Sequence, residues 1–269
     1  MALSRKTSYS HNLDEKRKNM FKRIITIFIV LCWSVPVFAA HPLITDDAGT
    51  QGKGKFLFEF AGEYGQKKKD SVAENTTEMA ATFTSGINDQ IDIILGIPYR
   101  YIRKENSGTT TENGISDATL ALKWRFYEKE GLSFALKPGV TLPTGNDEKG
   151  LGSGRASYSM YFITTNVIAP CAIHLNLGYK RNENKVDERE DLWHASLAGE
   201  VKVAKDLRLV ANVGMEKNPD RSSSIDPAFI LGGIIYSIRE NLDVDLGLKS
   251  WFNNYNMDYS VIAGLTLGI

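Results

Sequence analysis

The chain has 269 residues, of which 42% are hydrophobic, with a formal net charge of 0 and a mean hydropathy of −0.23. This composition argues against a helical membrane protein, in which long apolar segments dominate. The even balance of basic and acidic residues offers no basic face for a nucleic acid.

One long apolar run, over 24–38, follows two basic residues and precedes two alanines. A basic start, an apolar run and small residues at the exit predict a secretory signal peptide that is cut near Ala39 or Ala40. Residues 1–40 are therefore interpreted as an N-terminal extension plus signal peptide, with Met20 as an alternative translation start. The run is short for the competing interpretation, an uncleaved helical anchor.

Removal of residues 1–40 would take away seven of the 32 basic and two of the 32 acidic residues, leaving an acidic chain. Cys171 is the one cysteine beyond residue 40, so no disulfide can form within the exported chain. We expect this chain to reach the outer membrane of a Gram-negative cell.

Residues 41–52 precede the first alternating stretch and are predicted to be a periplasmic lead-in that tucks against or into the rest of the protein. Asp46 and Asp47 stand before several glycines, a combination that occurs in cation-binding and phosphate-binding loops. The spacing matches neither a calcium loop nor a phosphate-binding loop. The glycines are therefore expected to ease turns in the lead-in.

From residue 53 to 269 the sequence alternates between apolar and polar residues with unusual regularity. Successive residues of a strand point to opposite faces, so each stretch predicts a strand with one apolar side and one polar or small side. The final stretch is typical, since Val261, Leu265 and Ile269 share one parity. Twelve strands are predicted, separated by connections at 67–75, 87–90, 104–116, 128–131, 145–154, 168–171, 182–190, 204–206, 217–225, 238–241 and 253–256.

These connections alternate between long and short. Long polar ones such as 104–116 fit extracellular loops, and short ones such as 128–131 fit periplasmic turns. The sequence therefore predicts an all-β protein, a single transmembrane antiparallel up-and-down β-barrel of about 12 strands and of the outer-membrane type, over residues 53–269. Its expected partners are outer-membrane lipids and, during insertion, the barrel-assembly machinery.

Three places fit the strand pattern less well. Pro98 and Pro138 fall inside predicted strands, where the missing N–H removes a ladder hydrogen bond, so bulges or strand ends are expected there. Residues 229–237 are apolar on both parities, which leaves open which of them face inward.

Charged side chains of both signs collect on the parity that faces the lumen. One interpretation is a water-filled path whose charges select solutes. The other is a narrow interior that is filled and neutralised by its own ion pairs, as in small barrels. A barrel of about twelve strands lies between filled and open ones, and we favour a narrow channel. The candidate lumen residues are Glu59, Glu63, Glu78, Asp92, Arg100, Lys123, Arg125, Lys137, Lys180, Glu200, Lys202, Arg208, Asp243, Asp245 and Lys249.

Histidine and serine residues on the inward parity raise the question of a metal site or a catalytic site. His174 and His194 lie on neighbouring predicted strands, but no third ligand stands out, so no metal is predicted. Ser196 shares a face with His194 at about 7 Å, which is too far for a hydrogen bond without bending. No catalytic residue and no cofactor are therefore predicted.

Two segments carry a resemblance to a known family. The first is His41-Pro-Leu-Ile-Thr-Asp-Asp-Ala-Gly-Thr-Gln-Gly-Lys-Gly-Lys-Phe56, and the second is Leu136-Lys-Pro-Gly-Val-Thr-Leu-Pro-Thr-Gly145, followed by Gly150-Leu-Gly-Ser-Gly154. In these segments the chain resembles the "putative MetA-pathway of phenol degradation" family, and the likeness extends over essentially all of residues 41–269. The resemblance implies an outer-membrane barrel of the transporter type and supplies no catalytic residues.

The resulting hypothesis is a channel for the passive passage of small solutes, aromatic or hydrophobic ones included. The connections 104–116 and 145–154 would shape its mouth, and the solute and the oligomeric state stay open. Two alternatives from other classes remain. One is a closed structural or adhesion barrel without transport, and the other is an outer-membrane hydrolase that would depend on Ser196 and His194.

Overall fold

The computed structural model describes residues 41–69, 72–105, 108–252 and 258–269; the predicted signal peptide lies outside these ranges. No helix within them is long and apolar enough to cross a membrane. The strands are β1 (Phe56–Lys69), β2 (Val72–Asn88), β3 (Ile91–Glu105), β4 (Thr109–Ile115), β5 (Ala118–Lys129), β6 (Leu132–Leu142), β7 (Ser157–Ile168), β8 (Cys171–Arg181), β9 (Asp191–Ala204), β10 (Leu207–Glu216), β11 (Ala228–Arg239), β12 (Leu242–Phe252) and β13 (Asp258–Gly268).

The strands form one closed antiparallel ring. Each strand from β6 to β12 pairs with the strands before and after it, and β1 pairs with both β2 and β13. The ring continues from β2 to β3, which pairs with β5 along 91–96 and with β4 along 99–105. Because β4 and β5 share one position in the wall, the thirteen segments make a barrel of twelve strands, as predicted.

The apolar parity of the strands faces outward. Phe60, Ile230 and Leu248 are 55%, 54% and 64% exposed, as expected for a surface that meets lipid. In β11, Leu231 and Ile235 point inward and are buried. This answers the question left open for residues 229–237, because the inner side of β11 proves to be apolar as well.

The predicted loop at 104–116 is wrong. β3 continues to Glu105 and β4 begins at Thr109, so the stretch forms a β-hairpin. β4 starts with the β-branched run Thr109–Thr111, which favours the extended conformation. β2 and β3 have 17 and 15 residues, more than the roughly 9–11 that cross a bilayer. The strands therefore extend beyond the apolar band, where a strand can be polar on both sides, and this polarity was interpreted as a loop. The connection predicted at 67–75 is shorter than expected in the same way, since β1 ends at Lys69 and β2 begins at Val72.

Both prolines lie beside an interruption of a ladder. Pro98 falls between the two parts of β3 that pair with β5 and β4, and its carbonyl oxygen accepts a 2.8 Å hydrogen bond from Ser116 N. Pro138 faces a gap in the β5–β6 ladder, between Ala121 and Trp124. The ladder is thus interrupted on the side of β3 that faces β4 and β5 and on the side of β6 that faces β5. The missing proline N–H therefore removes no ladder hydrogen bond on these sides.

Residues 41–52, which we call the N-terminal segment, lie inside the ring. Within it, Leu43 packs against the buried side chains of Val210 and Ile235. Ala48 is fully buried in a cluster of small and apolar inner-wall residues from β6 and β7. The middle of the barrel is thus filled by this segment, which belongs to no strand.

Candidate functional site

Side chains of the inner wall hold the backbone of the N-terminal segment. The Asn212 Oδ1 atom accepts hydrogen bonds from Ile44 N at 2.8 Å and from Thr45 N at 3.0 Å. Ala48 N donates to the hydroxyl of Thr165 at 2.9 Å. Because the segment pairs with no strand, its buried N–H groups need such acceptors.

Two further polar residues complete this contact. The Asp92 carboxylate, fully buried on β3, accepts hydrogen bonds from Gln51 N at 3.0 and 3.2 Å. Asn176, with its amide oriented to satisfy both groups, accepts from Asp46 N at 2.7 Å and donates to Asp46 O at 2.9 Å. Strands on opposite sides of the ring therefore bind the same short segment.

Apolar contacts fix the start of the segment. Pro42 packs against a part of β11 and β12 that has glycine on its inner side. A Cβ atom added at Gly247 would lie 2.9 Å from Pro42 Cβ, and one added at Gly233 would lie 2.9 Å from Pro42 Cγ. The absence of side chains at these two positions makes room for the proline ring. Beside it, His41 Nδ1 lies 2.8 Å from the buried carboxylate of Asp245.

A carboxylate of the segment lies between two lysines. Lys123 Nζ of β5 is 2.8 Å from Asp46 Oδ1, and Lys137 Nζ of β6 is 2.7 Å from Asp46 Oδ2. Lys123, whose side chain is 8% exposed, also donates to the carbonyl oxygen of Asp47 at 3.0 Å. Burial by itself would raise the pKa of the Asp46 carboxyl, but the two ammonium groups hold this pKa well below its ordinary value of 3.8.

A cavity of about 240 Å³ adjoins this cluster. Lys123, Lys137 and Asp46 contribute its charged side, together with Asp47 and Glu59. Its lining also includes apolar and hydroxyl side chains from β1, β2 and β3, namely Leu57, Thr82, Thr84 and Ile94. The lumen is therefore not packed solid beside the segment.

Of the fifteen candidate lumen residues, fourteen are buried or half-buried. Five of them, Asp92, Lys123, Glu200, Asp245 and Lys249, are buried, and nine are half-buried, namely Glu59, Glu63, Glu78, Arg100, Arg125, Lys137, Lys180, Arg208 and Asp243. Lys202 is exposed near the β9–β10 turn. Several form pairs: Arg100 with Glu78 at 2.8 Å, Lys249 with Glu63 at 2.5 Å, and Arg208 with Glu200 at 3.2 Å and with Asp243.

His174 is enclosed by the wall. Its Nδ1 atom hydrogen-bonds Thr165 Oγ1 at 2.9 Å, and its Nε2 atom lies 3.7 Å from Glu200 Oε1. Both Nε2 and Oε1 are buried, and neither has a hydrogen-bond partner among the described residues. Among the described ranges, no three histidine, cysteine or acidic side chains lie together as metal ligands would.

The expectation that His194 and Ser196 lie too far apart for a hydrogen bond is wrong. His194 Nε2 is 2.9 Å from Ser196 Oγ, because the imidazole reaches along the strand and shortens the separation of the two side chains. Glu216 Oε2 lies 3.5 Å from His194 Nδ1. Ser196 is only 3% exposed, and the Thr45 hydroxyl donates to its Oγ at 2.7 Å. The serine therefore contacts the N-terminal segment.

A second cavity, of about 570 Å³, lies between the β2–β3–β4 sheet and the β6–β7 loop; we call it the vestibule. Its lining carries three ion pairs. They are Glu78 with Arg100 at 2.8 Å, Glu74 with Lys104 at 3.1 Å and Glu112 with Lys149 at 3.3 Å. The vestibule is therefore polar and balanced in charge.

The β6–β7 loop folds over the break between β4 and β5. Asp117, at the break, accepts hydrogen bonds from Gly145 N at 2.9 Å and from Ser153 N and Oγ at 2.7 Å each. The hydroxyl of Ser116 donates to Leu151 O at 2.5 Å. The glycine-rich stretch of this loop thus forms part of the vestibule wall.

Sequence reasoning missed the uncharged residues that bind the segment. Thr165, Asn176, Ser196 and Asn212 all lie on the inward parity, which was the one signal that pointed to them. Nothing in the pattern of a single strand indicates that residues 41–52 would supply their partners.

The fold is similar to that of solved outer-membrane barrels. An outer membrane channel from Pseudomonas putida F1 aligns with a TM-score of 0.64 and 12% identity, over 83% of this chain and 98% of that one. The β domain of the Bordetella autotransporter BrkA aligns with a TM-score of 0.50 and 11% identity, over 81% of this chain and 100% of that one. At these identities the likeness concerns the fold alone. No curated protein matches the sequence significantly.

A family match covers residues 45–267, from the middle of the N-terminal segment to the end of the closing strand. It includes both segments that carried the resemblance, apart from the first four residues of the earlier one. The resemblance is confirmed, and the chain belongs to the "Putative MetA-pathway of phenol degradation" family.

Proposed function

We propose that this protein is an outer-membrane channel through which small solutes diffuse, and that the N-terminal segment closes its lumen at rest. One observation carries the proposal. The segment is held to a polar inner wall by side-chain hydrogen bonds and ion pairs, outside the backbone ladder of the ring. It can therefore leave its place without breaking the wall that the bilayer requires.

A purely structural barrel would gain little from such contacts. Buried ion pairs cost desolvation, and apolar side chains of similar volume fill a protein interior at least as well. A polar lumen that contains a segment held by side chains instead of by the strand ladder favours a barrel that opens. This favours the channel over the closed structural or adhesion barrel.

The comparisons support a channel for small molecules. The similar protein from Pseudomonas putida F1 is an outer membrane channel, and the family description refers to phenol degradation. We infer that small aromatic compounds are among the solutes. We also infer that residues 1–40 direct export and are removed near Ala39 or Ala40 before the assembly machinery inserts the barrel among outer-membrane lipids.

Asn212→Ala tests the closed state. The substitution removes the acceptor of one buried and one part-buried N–H group, which costs about 1–3 kcal/mol and corresponds to a roughly 5- to 150-fold shift in an equilibrium. In planar bilayers the full-length variant is expected to show conductance steps about tenfold more often than the wild type. Asn241→Ala is the control, because the Asn241 amide lies in the β11–β12 turn and donates to the carbonyl oxygen of Gly268, at the end of β13, instead of to the segment.

The same preparations test for transport itself. Liposome swelling with sugars, amino acids and aromatic acids would report the solutes that pass. If neither the wild type nor Asn212→Ala conducts ions or swells liposomes, while both fold into barrels that resist SDS until heated, the closed structural barrel is the better description.

The hydrolase alternative depends on Ser196. Its hydroxyl is buried and bound by Thr45, so no substrate reaches it while the segment is in place. We infer that Ser196 binds the segment and has no catalytic role. Turnover of lipid or ester substrates by the wild type that Ser196→Ala abolishes would contradict this inference.

A further inference from the structure

The Asp46 carboxylate occupies a binding site that the wall itself builds. Lys123 and Lys137 come from neighbouring strands, and both lie in the gap of the β5–β6 ladder. Each directs its ammonium group at a different oxygen of the same carboxylate, at 2.8 and 2.7 Å. Two donors on two oxygens form the charge-assisted arrangement that binds a carboxylate strongly.

The two lysines need an anion whenever the segment leaves. Departure of the segment would remove the Asp46 carboxylate and the carbonyl oxygen of Asp47 together, and Lys123 is nearly enclosed by protein. Two neighbouring ammonium groups without an anion between them repel each other, so an anion in the place of the carboxylate is favourable. With the segment in place, Asp92 accepts hydrogen bonds from Gln51 N and Glu59 lines the same cavity, while both ammonium groups contact the oxygens of Asp46.

The wall beside the two lysines also carries apolar side chains. Leu57 and Ile94 line the cavity together with the hydroxyl groups of Thr82 and Thr84, and these wall residues stay in place when the segment leaves. A molecule with a carboxylate at one end and a small apolar body at the other would match this surface. Sugars have no group that replaces the carboxylate.

We propose that Lys123 and Lys137 form the solute site of the open channel, that small organic acids with an apolar body bind there, and that Asp46 is their built-in competitor. This inference rests on the proposed channel function and names its solute class. A bound acid takes the place of Asp46 and thereby releases the segment. Because each ligand excludes the other, the acid shifts the equilibrium toward the open state.

Thiol labelling tests the competition directly. Thr45 is 1% exposed, so a cysteine at this position reports whether the segment has left its place. The full chain would carry Thr45→Cys with both native cysteines replaced by serine, since Cys171 is exposed and would react as well. Benzoate is expected to raise the labelling rate about tenfold, the effect of roughly 1.4 kcal/mol. Benzyl alcohol, with the same ring and no carboxylate, is expected to leave the rate unchanged.

Matched lysine variants assign the effect to the site. Lys137→Gln removes one ammonium group at a half-buried position and is expected to abolish the response to benzoate. Lys205→Gln makes the same change in charge at an exposed position in the β9–β10 turn and is expected to keep it. A benzoate response that survives in Lys137→Gln, or an equal response to benzyl alcohol, would overturn the proposal.

Bilayer recordings separate this inference from the channel function. If benzoate raises the labelling rate through Lys137 but no condition gives conductance, the site is real and the proposed channel is wrong. If the protein conducts but benzoate changes neither labelling nor open frequency, the channel stands and the organic-acid site is wrong.

Discussion

The middle of the lumen and the vestibule use the same types of ion pair in opposite settings. In the middle, Lys123 is 8% exposed and its partner Asp46 is 22% exposed. In the vestibule, Lys104 is 53% exposed and Glu74 is 33% exposed. Exposed pairs contribute little to stability, whereas breaking a buried pair leaves an uncompensated charge. The ion pairs in the middle of the lumen therefore hold the N-terminal segment in place. The vestibule pairs mainly set the electrostatic field that solutes meet.

The two regions also differ in what the charges contact. In the middle, every charged group of the Asp46 cluster touches the N-terminal segment, so a change there acts on whether the lumen is filled. In the vestibule, the pairs join neighbouring strands or a strand and the β6–β7 loop. A change there acts on solutes that have already entered.

The largest effect is expected for Lys123→Met. The substitution keeps the length of the side chain but removes a buried charge, and truncating one partner of such a pair costs about 3–5 kcal/mol. The segment should lose its place in most molecules, which planar-bilayer recording would show as frequent conductance steps. The barrel should still resist SDS until heated, since the ring is untouched. A closed Lys123→Met channel would contradict the role given to this contact.

Acid tests the same contact without a mutation. The pKa of Asp46 is held below 3.8, so its pairing stabilises the seated segment above that pH and is lost as the pH falls through the lowered value. Conductance steps should be equally rare at about pH 7 and about pH 5 and should increase only well below pH 4. The variant Asp46→Asn should open more often than the wild type at neutral pH and should lack this acid response.

A smaller effect is expected for Gly247→Ala. The new Cβ would lie 2.9 and 3.1 Å from Pro42 Cβ and Cγ, which forces the proline ring away from the wall. Overpacking of this kind costs about 1–3 kcal/mol, so conductance steps should become moderately more frequent. Gly232→Ala on the neighbouring strand is the control, because nothing lies within 4 Å of its Cβ position. Equal behaviour of the two variants would show that Pro42 does not fix the segment.

The smallest effect is expected for Lys104→Met in the vestibule. Its pair with Glu74 is exposed and contributes about 0–1 kcal/mol, so stability and opening frequency should stay as in the wild type. The loss of one positive charge should only shift the reversal potential in a salt gradient toward cation selectivity. A large gain in opening frequency would show that the vestibule pairs also control the seated segment.

Much of the wall could be predicted from the sequence because a barrel imposes a local rule. The alternation of Phe56, Phe58 and Phe60 with polar residues needs no knowledge of distant contacts, and the same holds for the closing strand. β4 was not predicted because it projects beyond the apolar band, where a strand no longer needs one apolar side. Its threonines indicated an extended chain, but their polarity was interpreted as a loop.

The candidate site could be predicted only in part. Parity placed Lys123 and Lys137 on the inner wall, but which charge they meet depends on where residues 41–52 lie, and no local pattern carries that information. The hydrogen bond between His194 and Ser196 was not predicted for a different reason. Spacing along a strand describes the backbone, whereas a hydrogen bond depends on how far each side chain reaches.

The N-terminal segment has a consequence for the order of assembly. His41 meets Asp245, 204 positions later, and Thr45 meets Asn212, 167 positions later. Contacts between such remote positions form slowly. The seam between β1 and β13 cannot close before the end of the chain has arrived. We therefore expect the N-terminal segment to reach its final position only after the late strands β10 and β12 have been placed in the ring.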